Sequence, residues 1–441
     1  MHKTFILFLF LFSIIFCTSC SNSNKQVVLE IEEGTKVIED YQFESYKDVD
    51  KIILPDSVKV IGEGAFMDCL KLKEIVFGKN VQTIGKSAFE NCESLEIVKM
   101  PSSVRFVEEK AFYNCKNINK LIFSEGLEKI GENAFSNLES LIEVILPSSL
   151  QEIGLGAFCG CSKLESMSIP FVGQTYSYNS KNLNFGYIFG STLTVDNNKF
   201  IVSSLKHVTV TTTTTIPNNA FTNCENILTV TINANIETIG SNAFGRMAKL
   251  KKIILPDTVK YIENGAFNQC KSLEEITIPK SVIYFGKYVF FNCSNLKKVT
   301  FLNNLKSIPS STFRNCSSLT SLEIPESVKV IDENAFKNCS KLEYINLPTN
   351  LTTIKESAFE NVGLKKLHIL CDINLIETNA FRECSKLEEV YIVGNVYIIQ
   401  KNVFFNNSQI KIYCSKESLP DTWDSGWCDD EIEVIWGYHQ D

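Results

Sequence analysis

The sequence predicts an α/β solenoid, in which short coils stack and only the stack has a core. Three observations carry that expectation. A phenylalanine recurs at 43, 66, 89, 112, 135 and 158, then at 221, 244, 267, 290, 313, 336, 359, 381 and 404. Every interval is 23 residues except one of 22 and a single gap of 63, and a strict period of this length means one supersecondary unit per repeat. The chain has 441 residues, more than one ordinary globular core holds, which suits an extended array. Its hydrophobic content is 44% with 31 Phe, ample for burial and contrary to disorder.

The elements can be read in order from residues 272–293, SLEEITIPKSVIYFGKYVFFNC. Leu273, Ile276 and Ile278 give a period-two stretch, a short strand with one face inward. Pro279 ends it, because proline lacks the amide hydrogen a continuing ladder needs. Proline holds the same register at 55, 101, 147, 170, 256, 325 and 348. Val282 and Phe285 form a second apolar pair that turns back toward the interior. Gly286 follows, at a bend where a side chain would obstruct. Phe290 and Cys293, three apart, fit one face of a short helical turn.

Sixteen Cys in an exported chain would ordinarily suggest disulfides. Ten of them, at 69, 92, 115, 161, 224, 270, 293, 316, 339 and 384, share one register three residues after the Phe. Other coils place Tyr46, Leu138, Met247 or Val362 there, so the position reads as a hydrophobic plug filled by free thiols. Beyond residues 1–20 no Cys-x-x-Cys pair or adjacent His suggests a metal, and no cofactor is expected. Cys159, Cys371, Cys414 and Cys428 lie off the column, and Cys414 with Cys428 is the pair to consider for a disulfide. Asn often precedes the plug, making Asn-Cys-Ser sequons at 292, 315 and 338. Its expected use is to satisfy backbone groups in a tight turn.

The first twenty residues, MHKTFILFLFLFSIIFCTSC, carry Lys3 and then an apolar run from Phe5 to Phe16. The run is too short to span a bilayer and suits an export signal over residues 1–20. The stretch resembles a bacterial lipoprotein signal, which implies lipidation of Cys20; ordinary cleavage after Ser19 is the alternative. Residues 21–33 read as a polar tether, 34–413 as the solenoid and 414–441 as a C-terminal cap. Trp423, Trp427 and Trp436 fall in the cap, either covering the apolar end of the array or serving as carbohydrate platforms.

The units AFMDCLKLKEIVFGKNVQTIGKSAF (65–89) and AFKNCSKLEYINLPTNLTTIKESAF (335–359) resemble the leucine-rich repeats of the BspA-like family. The resemblance covers about residues 34–413. It implies a right-handed superhelix with a parallel β-sheet on its concave face, displayed at a cell surface and associated with adhesion. It brings no catalytic set. The irregular stretch 171–204 reads as an enlarged coil, with Phe189 in the Phe role, that either binds or merely bends the array.

A net charge of −8 disfavours nucleic acid as a partner, and no later segment is apolar enough to cross a membrane, leaving a lipid anchor as the only attachment. The outward strand residue nearest the proline is aliphatic at Ile53, Val76, Ile122 and Ile145. Near the other end, Tyr344, Lys366, His368 and Tyr391 should cluster. These eight are the candidate partner-binding residues, although strands favour such side chains regardless of function. Four His, no Gly-rich phosphate loop and no Gly-x-Ser-x-Gly elbow leave an enzyme poorly supported. The expectation is a secreted or surface-anchored module binding a protein or cell-surface ligand, with a self-associating envelope protein as the alternative.

Overall fold

A computed structural model describes residues 26–177, 180–407 and 410–439. The export signal and Cys20 lie outside the described residues. The chain forms two compact units. One holds the described residues up to Glu165 with Ile188–Gly190; the other holds Ser166–Tyr187 and the described residues from Ser191.

In the first unit the predicted strands stack in parallel: Val28–Glu30, Lys51–Ile53, Glu74–Val76, Ile97–Lys99 and Lys120–Ile122. Ile52 lies opposite Ile75, and Val98 opposite Leu121, so the inward residue of each strand meets its counterpart one coil away. The second apolar pair also becomes a strand, which the sequence reading had not anticipated. Two-residue strands such as Val60–Ile61, Thr83–Ile84 and Phe106–Val107 form a second parallel sheet. The stack starts earlier than expected. Leu29 is buried opposite Ile52, so Val28–Glu30 is the first coil's strand although it falls in the stretch assigned to the tether.

The second unit repeats this arrangement from Ser166–Ile169, paired with His207–Val210, to Lys411–Cys414, paired with Glu433–Trp436. The cap therefore adds a strand of its own. Trp427 sets its ring edge-on against Phe404 at 5.8 Å, and Trp423 packs on Trp427 at 5.1 Å while its Nε1 donates to the Val396 carbonyl at 3.1 Å. Both rings are buried, which rules them out as exposed carbohydrate platforms.

The phenylalanine column is a ring stack. In the first unit Phe43, Phe66, Phe89, Phe112, Phe135 and Phe158 lie nearly parallel at 5.1–5.5 Å. In the second the stack runs from Phe221 to Phe404 at 5.0–5.8 Å. The expected place of Phe189 needs qualification. In the first unit the Phe158 amide donates to the Ile188 carbonyl at 2.9 Å, as other Phe amides donate to the alanine carbonyl one coil on. In the second, Phe185 takes the role: its amide donates to Ala220 and its ring lies 5.1 Å from Phe221.

Between Phe and Cys the chain makes successive turns, not a helical turn, so among the described residues the helical component of the predicted α/β class is confined to the enlarged coil. The reason is backbone handedness. Residues two before and two after the Phe are left-handed, as at Ser87 (φ 53°) and Asn91 (φ 60°), or Asn334 (φ 55°) and Asn338 (φ 65°). A right-handed helical turn cannot contain them.

The cysteines do more than fill space. The column thiols other than Cys224 point back to the Phe carbonyl of the previous coil: Cys92 Sγ donates to Phe66 O at 3.2 Å, Cys115 to Phe89 at 3.0 Å, and Cys316 to Phe290 at 3.1 Å, whereas Cys224 Sγ accepts from Asn197 Nδ2 at 3.9 Å. Asn407 fills the same role, its Nδ2 donating to Phe381 O at 2.8 Å. A buried carbonyl without a partner is costly, and the thiol is a small donor that fits the core. Burial pushes the Cys161, Cys293 and Cys384 thiols up to about 12, so they stay protonated donors at neutral pH. The described cysteines are all free, including Cys414 and Cys428, so the pairing considered for those two does not form.

The asparagines also differ from expectation. Their left-handed backbone stacks the side chains into amide ladders along the coils. Asn315 Nδ2 donates to Asn292 Oδ1 at 2.6 Å, Asn338 to Asn315 at 2.7 Å, and Asn361 to Asn338 at 3.0 Å. A second ladder runs from Asp68 through Asn91 and Asn114 to Asn137.

Candidate functional site

Strand alternation decides which side chains reach solvent. The inward residue of each strand is locked in the core, and its neighbours on either side face out in two columns. In the first unit one outward column reads Ile53, Val76, Lys99, Ile122 and Ile145, and the other Lys51, Glu74, Ile97, Lys120 and Glu143.

Of the predicted residues here, Val76 and Ile145 are exposed, Ile145 at 59%, whereas Ile53 and Ile122 are half-buried. Ile97 and Ile142 are exposed as well, at 48% and 51%, and were missed. Ile97 stands in the second outward column, which was read for its Lys and Tyr residues and not for aliphatic ones. Val76, Ile97, Phe77 and Lys99 line a surface groove of about 670 Å³. Glu74 is tied to Lys51 at 2.9 Å. Lys99 lies opposite Ile122 and makes no ion pair among the described residues, so the groove joins aliphatic walls to an ammonium.

In the second unit three of the four predicted residues meet. His368 stacks on Tyr391 with ring centres 4.7 Å apart and a 4° tilt, and Tyr391 stacks on Tyr413 at 4.8 Å. Tyr438 leans over both tyrosines at 5.7 and 5.3 Å. The neighbouring column alternates in charge: Lys366 pairs with Glu389 at 2.7 Å and Lys411 with Glu433 at 3.1 Å. Tyr391 Oη donates to Glu389 at 3.1 Å. The Lys366 ammonium and then the Tyr391 hydroxyl hold the Glu389 carboxyl below its ordinary range. Tyr344, exposed at 66%, stands one coil earlier in the charged column and joins no ring contact of this group among the described residues. Tyr413 was missed because it lies where the repeat decays, although Lys411, Tyr413 and their neighbours keep the strand alternation.

The enlarged coil holds short helical turns at Thr194–Asp196 and Asn197–Phe200. Buried Asn197 donates from Nδ2 to the Thr222 carbonyl at 2.8 Å, and Asn223 donates to the Thr194 carbonyl at 3.1 Å. Held this way, Leu193, Val195 and Phe200 are 59%, 63% and 42% exposed, an apolar knob. Among the described residues no group of three His, Cys, Asp or Glu side chains is placed to hold a metal ion, and no helix is long and apolar enough to cross a membrane.

Comparison with known proteins agrees with the repeat architecture. A family model described as the BspA type leucine rich repeat region (6 copies) matches residues 15–141, 95–201, 193–320 and 306–419. Among solved structures, a leucine-rich repeat protein from Bacteroides ovatus is 24% identical, with 96% of this chain and 98% of that chain covered and a TM-score of 0.45. One from Eubacterium ventriosum is 22% identical, covering 82% and 93%, at a TM-score of 0.32. A leucine-rich cell surface protein from Faecalibacterium prausnitzii is 21% identical, covering 86% and 92%, at 0.28. No curated protein matches the chain. With repeats of this family matched along most of its length, the chain belongs to the BspA-type leucine-rich repeat family.

Proposed function

We propose that the chain is an exported, lipid-anchored, non-catalytic module that docks a protein or cell-surface ligand on the outward face of its strands. The observation that carries this reading is the exposed aliphatic stripe of Val76, Ile97 and Ile145 beside an open groove. Contiguous apolar surface left in water is a common mark of a partner site. Proteins built from BspA-type repeats are in general surface proteins and interaction modules, which supports the same reading. The His368, Tyr391 and Tyr413 stack is a second contact area. Its ring faces are largely occupied by one another, so edges and hydroxyls are what it offers, a chemistry that suits a polar protein surface better than the flat face of a sugar.

The test is binding of the purified protein to immobilised extracellular-matrix proteins. Saturable binding is expected, and Ile122→Glu with Ile145→Glu should weaken it about 100-fold, the loss of a central contact worth roughly 2–3 kcal/mol. Binding that survives this pair but is lost on deletion of residues 171–204 would move the site off the strands. The anchor is tested separately by mass spectrometry of the mature N-terminus, where a diacylated Cys20 is expected and a free chain starting at Cys20 or elsewhere overturns it.

A further inference from the structure

We infer that the apolar knob of the enlarged coil is the ligand of the first unit's groove on a second copy of the chain, giving self-association. The inference rests on the reading of that groove as an interaction surface and adds a specific occupant. The knob places Leu193, Val195 and Phe200 in water, which costs solubility and contributes nothing to its own core. Yet it is held firmly, by Asn197 on Thr222, Asn223 on Thr194, and Ser191 Oγ donating to the Leu193 carbonyl at 2.7 Å. A convex apolar element already ordered before contact loses little freedom on docking.

The groove offers what such an element needs. It is lined by Val76, Ile97 and Phe77 and carries Lys99, which makes no ion pair among the described residues, while its one carboxylate, Glu74, is tied to Lys51. Covering an ammonium without an acceptor is unfavourable, so the occupant needs a carboxylate beside its apolar side chains. The knob supplies one in Asp196, next to Val195. Its present partner is Lys199 at 2.6 Å, an exposed pair three residues apart that is weak enough to exchange. Knob and groove are different surfaces of the same chain, so two copies can pair reciprocally in a closed dimer or each copy can pass its free knob to a further one.

Sedimentation velocity of the purified protein over about 1–100 μM, the range of weak interfaces, tests this. The mean mass is expected to rise with concentration to the dimer or beyond. Val195→Asp, a knob variant, and Ile97→Asp, a groove variant, should each stay monomeric alone. Mixed in equal amounts they should form a 1:1 dimer that grows no further, since one intact knob meets one intact groove. Lys99→Glu, which faces Asp196 with like charge, should weaken association about tenfold. A wild-type chain that stays monomeric, or a Val195→Asp variant that still associates, overturns the inference. Matrix binding that Ile97→Asp abolishes while self-association is absent would leave the groove as a partner site and remove only its pairing with the knob. Undiminished association of Lys99→Glu would remove the ion pair.

Discussion

Phe336→Ala is expected to lower folding stability by about 3–5 kcal/mol, the usual loss when a large aromatic is cut from a packed core. The Phe336 ring has no exposed surface and stacks on Phe313 at 5.3 Å and on Phe359 at 5.0 Å. Each aromatic pair adds about 0.5–1.5 kcal/mol beyond the burial itself, so truncation removes two stacking contacts and opens a void. In a solenoid every coil leans only on its neighbours, so the loss should be local before it is global. Denaturant unfolding should show the lowered stability, and hydrogen exchange should show amides of the 313–359 coils losing protection before those near Phe66. Phe336→Leu, which keeps most of the volume, should lose less. A cost below about 1 kcal/mol for the alanine variant, the scale of an ordinary substitution, would mean the ring stack is not what holds the coils together.

Asn315→Ala should cost about 2–4 kcal/mol, and the reason is double. The residue sits at φ 65°, where an alanine pays roughly 1–2 kcal/mol that asparagine partly escapes through local hydrogen bonding. Its amide also bridges Asn292 and Asn338, two bonds of about 0.5–1.5 kcal/mol each. Asn315→Gly separates the terms: glycine accepts the left-handed backbone freely but has no amide, so its loss should fall below that of alanine. If thermal or denaturant unfolding finds the glycine and alanine variants equally destabilised, strain has no part in the choice of asparagine. The ladder also explains the Asn-Cys-Ser triplets. The side-chain nitrogens of Asn315 and Asn338 are already donors within it.

Several features were legible because periodicity reports which way a side chain faces. The Phe column, the strand ended by Pro279 and its equivalents, and the thiol register each repeat at a spacing that fixes inside and outside. The aliphatic stripe could be read for the same reason, and Ile145 is exposed where alternation put it. Other expectations failed where the physics depends on a neighbour 22–26 residues away. Cys316 reads as an apolar plug until its thiol is seen against the Phe290 carbonyl of the previous coil. Asn315 reads as a turn residue until Asn292 and Asn338 are beside it. The spacing of Phe290 and Cys293 fits a helical turn equally well, and only the left-handed backbone of Tyr288 (φ 59°) and Asn292 (φ 59°) excludes one.

The linear chain by itself determined that this is a stack of repeating coils, which residues line its interior, and that its interior is held by aromatic rings. Those are consequences of spacing, and spacing is written in the chain. Only the tertiary structure decided how buried polar atoms are satisfied, that a second strand lane exists, that Trp423 and Trp427 are buried beside Phe404, and that the enlarged coil raises Leu193, Val195 and Phe200 into solvent. Each of these depends on which atoms of successive coils come within hydrogen-bonding or packing distance, and no residue carries that information until the coils are laid one upon another.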